Sequence, residues 1–269
     1  MTLTDEAKSQ LARRAFLKQG AWLAGATALG WSGVFGLSRA SAASGDDIPT
    51  ILNIAATAET FACTHYYQTL NSKIQFTSAQ IAYIKAALEE EFIHLQYLNA
   101  NGGKALADKF FFPTGALNSR VSFGTTSALF ETVFVGAYLA ATRRFAELGQ
   151  PLLAATAAQV AVIEGQHLAL TRETALLLPN NVPLGEPLYN NVSDAVPSLQ
   201  PVLDGKQGAL GPMDKTAVSF PGEDAIRKAI GKSGLTPVKA FTDPTLFAAA
   251  AGATAAATTA ATASATAAK

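Results

Sequence analysis

The amino-acid sequence predicts an all-α fold: a four-helix bundle with one long crossover, followed by an irregular C-terminal extension. Four stretches have helical patterns without an internal proline. The connections between the first and second of them and between the third and fourth are short, which favours two antiparallel hairpins. The connection between the second and third, residues 101–124, is long enough to run the length of a bundle.

Local signals bound the four predicted helices, which cover about residues 50–70, 78–100, 125–148 and 151–178. Ser78 can cap the second helix, Gly149 ends the third, and Pro151 suits the first turn of the fourth. The sequence LLPNNVP then stops the fourth helix. These helices form the predicted bundle domain, residues 44–180.

The N-terminal segment, residues 1–43, resembles a twin-arginine export signal. It has paired arginines at 13 and 14, an uncharged stretch over 19–38 and small residues at 40–42. We expect this segment to be cleaved, which predicts a periplasmic or secreted protein without a membrane association. A retained membrane anchor is the alternative, although the apolar run is barely long enough to span a bilayer. Export by this route implies folding, often around a cofactor, before translocation.

The C-terminal part lacks long helical patterns. Residues 181–247 are rich in Pro, Gly and Asn, with one short helix candidate in EDAIRKAIGKSG that Gly231 or Gly234 could stop. We expect this extension to wrap over the bundle, although a small separate lobe is an alternative. Its candidate anchors are Leu188, Tyr189, Phe220, Phe241 and Phe247. Residues 248–269 are almost entirely Ala and Thr and predict a flexible tail.

Composition excludes several classes of partner. The formal net charge is zero, and beyond the signal no basic block larger than Arg143 and Arg144 occurs, which argues against nucleic acid and anionic lipid as partners. The single cysteine, Cys63, cannot form an internal disulfide. Stability must therefore come from a core, a metal or a partner, and a homodimer stays open.

The predicted helices carry a set of glutamates and histidines with a definite order. A carboxylate-bridged two-metal site in a bundle takes one Glu from each of two helices and Glu-x-x-His from each of the other two. The i, i+3 spacing places both members of a Glu-x-x-His motif on one helix face. The chain supplies Glu, ExxH, Glu, ExxH, one set per helix: Glu59, Glu91, His94, Glu131, Glu164 and His167. These six residues are the predicted metal ligands and catalytic residues.

Spacing supports the same set. The interval from Glu59 to Glu91 is 32 residues and that from Glu131 to Glu164 is 33, so the hairpins form an approximate repeat. Glu91 lies within LEEEF and could instead be a solvated surface residue. The other three glutamates have apolar neighbours, and burial of an unpaired carboxylate is very costly.

Four further residues near these positions have less definite interpretations. His65 lies six residues after Glu59, about 240° round the helix, and is therefore predicted to be structural. Tyr66 and Tyr138 each follow a predicted ligand by seven residues and share its face. They are either core residues or hydrogen-bond donors to the ligands, or radical relays. Cys63 is predicted to be a small buried residue beside the site.

With this ligand set on four helices, the chain resembles the ferritin-like superfamily. The export signal, the PNNVP ending and the Pro-rich extension make it similar to the bacterial ferritin-like group that includes the desiccation-related proteins of plants. The resemblance covers about residues 48–180 strongly and 180–247 weakly. It implies two iron ions, or less often two manganese ions, and chemistry with dioxygen or peroxide. Carried over by position, one metal would be held by Glu59, Glu91 and His94 and the other by Glu131, Glu164 and His167, with Glu91 and Glu164 bridging.

Two functions follow from the sequence. The first is an exported di-metal oxidoreductase of ferroxidase or peroxidase type that acts in oxidative stress. The second is a non-enzymatic secreted helical protein for stress protection or interaction, with a vestigial metal site. The Ala/Thr tail, the wrapping extension and the absence of a C-x-x-C electron-transfer module favour the second. The export signal and long extension argue against a storage cage.

Overall fold

The computed structural model describes residues 45–208, 210–232, 234–236, 238–243 and 245–246. Within these ranges four long helices form two hairpins, which confirms the predicted all-α bundle. The predicted export signal, the Ala/Thr tail and Phe247 lie outside the described residues. The long helices are α1 (Ile48–Leu70), α2 (Ser78–Ala100), α3 (Arg120–Glu147) and α4 (Pro151–Thr174).

Side-chain caps set where the helices begin. Asp47 caps α1 by accepting a hydrogen bond from the backbone N–H of Thr50 at 2.9 Å. The cap of α2 is Thr77, which forms a reciprocal capping box with Gln80. The prediction that Ser78 caps this helix is therefore wrong by one residue, and Ser78 is the first helical residue.

The third helix begins five residues earlier than predicted. Ser119 caps α3 and exchanges hydrogen bonds with Ser122, so Arg120 is the first helical residue. Gly124 lies inside the helix, against α4: a Cβ atom there would lie 2.5 Å from the carbonyl oxygen of Thr171. This glycine permits close helix packing and does not break the helix.

The fourth helix ends at Thr174, four residues before the predicted end. The backbone N–H of Leu176 donates to Glu173 and that of Leu177 donates to Arg172, each at 2.8 Å. Leu176 has a φ of 61°, so the turn is a Schellman motif with leucine at its left-handed position. Gly149, with a φ of 69°, closes α3 in the same way, as predicted.

Within each hairpin the helices pack closely, and a shared apolar core lies between the hairpins. Helices α1 and α2 contribute most of its large aliphatic residues, α4 contributes a valine and alanines, and the phenylalanines come from α2 and α3. Buried members include Ile84, Leu88, Leu95, Phe123, Phe145 and Val160. This packing places one face of all four helices towards the bundle interior.

The crossover and the extension meet on the bundle surface. Strand β1 (Lys109–Phe110) in the crossover pairs antiparallel with β2 (Val218–Ser219) in the extension. The extension also contains a 3₁₀ turn (Val192–Ala195) and the helices α5 (Val196–Asp204) and α6 (Glu223–Ile230). Helix α6 is the predicted short helix, with its stop at Gly231.

Two kinds of contact join the extension to the bundle. Buried Asp46, just before α1, accepts hydrogen bonds from the backbone N–H of Ser193 at 2.8 Å and its hydroxyl at 2.7 Å. Ile226 of α6 and the predicted anchor Phe220 pack against the main core. The predicted domain boundaries stay predictions. In the described part of the chain, no helix has the length and apolar character needed to cross a membrane.

Candidate metal centre

The bundle brings all six predicted ligands together. Helices α1 and α3 contribute one glutamate each, and α2 and α4 contribute one Glu-x-x-His pair each. All six side chains are buried, and Glu91 is 0% exposed. The alternative that Glu91 is a solvated surface residue is therefore wrong.

Ligand atoms from these residues fall into two overlapping groups. Within each group, one atom per residue lies within 4.8 Å of the others. The first group is Glu59, Glu91, His94 and Glu164, and the second is Glu91, Glu131, Glu164 and His167. Glu91 and Glu164 belong to both groups, which is the placement expected of bridging carboxylates. Their role as ligands and the catalytic role of the set stay predictions.

Both histidines direct the same ring nitrogen towards the carboxylates. The Nδ1 atom of His94 lies 3.3 Å from Glu164 Oε1, 3.5 Å from Glu91 Oε2 and 3.7 Å from Glu59 Oε2. The Nδ1 atom of His167 lies 3.1 Å from Glu91 Oε1, 3.2 Å from Glu164 Oε2 and 3.9 Å from Glu131 Oε2. The two imidazoles thus contact the shared carboxylates from opposite hairpins.

Several polar atoms of this cluster are buried without a hydrogen-bond partner. They are Glu59 Oε2, both oxygens of Glu91, His94 Nδ1, Glu131 Oε2 and Glu164 Oε1. Carboxylate oxygens stripped of water and lacking donors are costly unless a cation takes them as ligands. Four ionised carboxylates would balance two divalent cations, and carboxylate oxygen with imidazole nitrogen is a donor set that binds divalent first-row metals. The residues therefore fit a di-metal centre.

Burial and mutual charge shift the pKa values within the cluster. Burial, followed by repulsion from Glu91 and Glu164, raises the pKa of Glu59 well above its ordinary value. Burial also raises the pKa of Glu131, although His167 opposes the shift. Burial opposes ionisation of Glu91 too, but the attraction of His167 and the proximity of both imidazoles outweigh it and lower the pKa of Glu91. Carboxylates likewise outweigh burial at His94 and His167 and raise the pKa of both imidazoles. Metal-free, the cluster therefore retains protons that cations would displace.

Two tyrosines donate hydrogen bonds from one hairpin to the other. Their acceptors are the unshared glutamates, Glu59 and Glu131, each of which belongs to only one ligand group. The Tyr66 hydroxyl on α1 donates to Glu131 Oε1 on α3 at 2.5 Å, and the Tyr138 hydroxyl on α3 donates to Glu59 Oε1 on α1. Burial raises the pKa of both hydroxyls well above the ordinary value. The interpretation as hydrogen-bond donors to the ligands is confirmed, and a radical role stays a prediction.

Sequence reasoning missed a seventh residue, Glu90. Its Oε2 atom lies 2.8 Å from His167 Nε2, on the ring edge opposite the cluster. Glu90 is on α2 and His167 is on α4, so helical spacing could not connect them. The only signal was its place directly before Glu91 in the sequence.

His65 and Cys63 are buried but belong to neither ligand group. The Nε2 atom of His65 lies 2.7 Å from the Ser127 hydroxyl. Its ring packs among Phe112, Phe123 and Phe130. Burial raises the pKa of the Cys63 thiol well above its ordinary value, as suits a small inert core residue.

The family comparison agrees with this geometry. Residues 47–176 match the family model described as the ferritin-like domain. The bundle is a ferritin-like domain. The matched segment of this domain contains all four long helices and all six predicted ligands, and it ends before the extension. Searches among curated proteins and among solved structures give no match.

Proposed function

We propose that this protein is an exported di-metal oxidoreductase that acts on dioxygen or peroxide, with ferroxidase or peroxidase activity. The observation that carries the proposal is the pair of overlapping ligand groups, which share Glu91 and Glu164. Two iron ions are the proposed cofactor, and two manganese ions are the alternative.

The proposed division of roles follows from the contacts. Glu59 and His94 would hold one ion and Glu131 and His167 the other, with the shared glutamates between them. When bound, such an ion pair supplies two electrons for the reduction of dioxygen or peroxide.

Other side chains of the domain support this site. The hydroxyls of Tyr66 and Tyr138 fix one oxygen of each unshared glutamate and leave the other oxygen unpartnered. These buried tyrosines and the core around them also limit the access of water to the carboxylates. The chain thus provides oriented ligands in an enclosed site, which favours controlled redox chemistry.

The biological setting belongs to the same proposal. The twin-arginine-like N-terminus supports export to the periplasm or the medium. The Pro-rich extension supports a place in the bacterial group related to plant desiccation proteins. Outside the cytoplasm, the protein would remove peroxide or reactive ferrous iron under oxidative stress.

The test is the activity of mature protein purified from its exporting cell and reconstituted with ferrous iron without oxygen. Oxidation of added ferrous iron and consumption of hydrogen peroxide are measured for the natural protein, Glu164→Ala and Glu173→Ala. Glu173 is exposed near the end of α4 and serves as the matched control. We expect activity in the natural and control proteins and none in Glu164→Ala.

A protein that binds two ions but neither oxidises ferrous iron nor consumes peroxide would contradict the enzymatic proposal. Unchanged stress protection in cells with Glu131→Ala or Glu164→Ala would then favour the non-enzymatic alternative.

A further inference from the structure

The site has an approximate twofold symmetry that can be followed residue by residue. Glu59 and Tyr66 on α1 correspond to Glu131 and Tyr138 on α3, at one constant interval in the sequence. The two Tyr-to-Glu hydrogen bonds cross the bundle in opposite directions, as the symmetry requires. The Glu-x-x-His pairs of α2 and α4 correspond in the same way.

This symmetry breaks directly beside the shared glutamates. Glu90 precedes Glu91 on α2, whereas Ile163 precedes Glu164 on α4. The Glu90 carboxylate contacts His167 Nε2 at 2.8 Å. The corresponding partner of His94 would come from position 163, where isoleucine offers no acceptor. In the described part of the chain, all carboxylate contacts of His94 are made through Nδ1.

A second difference is how firmly and how deeply each histidine is held. The backbone carbonyl of His167 accepts hydrogen bonds from the hydroxyls of Tyr83 at 3.3 Å and Thr171 at 2.9 Å. The side chain of His167 is 1% exposed, whereas that of His94 is 9% exposed. His94 is therefore the more exposed of the two histidines, and the 26% exposed Glu90 side chain lies between His167 and solvent.

Chemistry connects these differences to metal binding. A carboxylate at Nε2 fixes the tautomer in which Nε2–H donates to Glu90 and the Nδ1 lone pair faces the cluster. The same contact raises the basicity of the ligating nitrogen, and loss of such a partner typically weakens metal affinity about 10- to 100-fold. His94 lacks this support.

We infer that the two metal positions are unequal: the His167 position, supported by Glu90, fills first and binds tightly, and the His94 position exchanges its ion with solvent. Glu90 is a positioning residue in this scheme, because it acts through His167. The inference rests on the proposed function, since it concerns the same centre.

The test must identify the positions and not merely count binding steps. A first cation repels a second, so a symmetric site would also bind two ions stepwise. Metal-free protein is therefore titrated with cobalt(II), and the first equivalent is followed by visible absorption in the natural protein, His94→Ala and His167→Ala. We expect His167→Ala to weaken the first equivalent at least about tenfold more than His94→Ala does.

Glu90→Ala provides the second arm, with Glu89→Ala as the matched control. Glu89 is the neighbouring acid on α2 and contacts neither histidine. We expect Glu90→Ala to weaken the first equivalent about 10- to 100-fold and Glu89→Ala to leave it unchanged. Circular dichroism checks that each variant folds. If Glu90→Ala fails to fold, Glu90→Gln replaces it, because glutamine keeps the volume of the side chain without its charge. Glu90→Gln should also weaken the first equivalent.

Equal losses in the two histidine variants, a larger loss in His94→Ala, or identical behaviour of the Glu90 and Glu89 variants would overturn the inference. Two equal positions with full oxidase activity would leave the proposed function standing. Unequal positions in a protein that neither oxidises ferrous iron nor consumes peroxide would support the inference and contradict the proposed function.

Discussion

The interior of the bundle contains two buried histidine environments that differ sharply. His65 lies in an aromatic pocket, with ring centroids of Phe112, Phe123 and Phe130 within 5.7 Å and the Ser127 hydroxyl as its hydrogen-bond partner. His94 and His167 are also buried, but carboxylates surround them. Burial lowers the pKa of His65 to about 4, whereas the carboxylates raise the pKa of the other two well above the ordinary value.

The difference shows that burial alone does not make a histidine a metal ligand. In the aromatic pocket the ring stays neutral, and among the described residues Ser127 is the one hydrogen-bond partner of its side chain. In the acidic cluster, four helices bring candidate ligand atoms together, and several of these atoms lack a hydrogen-bond partner. The first environment stabilises a fold, and the second attracts cations or protons.

Glu164→Ala should weaken metal binding to the acidic cluster more than the other changes, because Glu164 belongs to both ligand groups. We expect loss of both ions and of metal-dependent stabilisation, which is about 2.7 kcal/mol at a metal concentration 100-fold above Kd. Thermal unfolding with and without metal measures it. Glu173→Ala should keep the full metal-dependent shift, and a shift retained by Glu164→Ala would contradict the assignment of this residue.

Acidification should weaken metal binding to the acidic cluster, because protons compete with the cations for the same side chains. The pKa values of Glu59, Glu131, His94 and His167 are raised, so these groups hold protons that metal must displace as pH falls. Each displaced proton costs about tenfold in affinity per pH unit. Metal titrations at pH 7.5, 6.5 and 5.5 should show affinity falling at least tenfold per unit. A flat profile would mean that the cations bind elsewhere.

His65→Phe tests the aromatic pocket by the pH dependence of unfolding. The folded-state pKa of His65 is about 4, below its ordinary 6.5, so its neutral form is favoured in the fold. The contribution of the neutral ring to the free energy of unfolding is complete above pH 6.5 and is lost as pH falls towards 4. Between pH 7.5 and 5 the natural protein should lose about 2 kcal/mol more than His65→Phe. Urea unfolding of the metal-free proteins measures the difference, and parallel pH profiles would refute it.

Removal of one tyrosine hydroxyl should have the smallest effect on the acidic cluster. Tyr66→Phe and Tyr138→Phe each leave all ligands present but release one glutamate oxygen. We expect about tenfold weaker metal binding from either variant, measured by cobalt titration. Tyr97→Phe, a change on α2 outside the ligand groups, is the control. A loss as complete as that of Glu164→Ala would instead make the tyrosines ligands.

The sequence predicts most of the acidic cluster because helical spacing is local. The Glu-x-x-His motifs and the Glu-to-Tyr intervals each lie on one helix, so periodicity places them on one face. Glu90 escaped prediction because its contact with His167 joins two helices. The pairing of β1 with β2 joins residues 109 and 219 and has no local signal either.

The errors at helix ends have local physical causes. Gly124 looks like a helix breaker, but the close approach of α4 requires a residue without a side chain. The end of α4 comes before the proline-rich stop because Leu176 adopts the left-handed conformation that usually needs glycine. Composition alone could not show these helix ends. The first depends on the tertiary packing at Gly124, and the second depends on the unusual backbone conformation of Leu176.

The most direct test of the central claim is the metal content of the mature protein after anaerobic reconstitution and removal of unbound metal. The account predicts two equivalents of iron or manganese per chain, falling below one in Glu164→Ala and unchanged in Glu173→Ala. Fewer than one equivalent in the natural protein, or undiminished binding in Glu164→Ala, would contradict it.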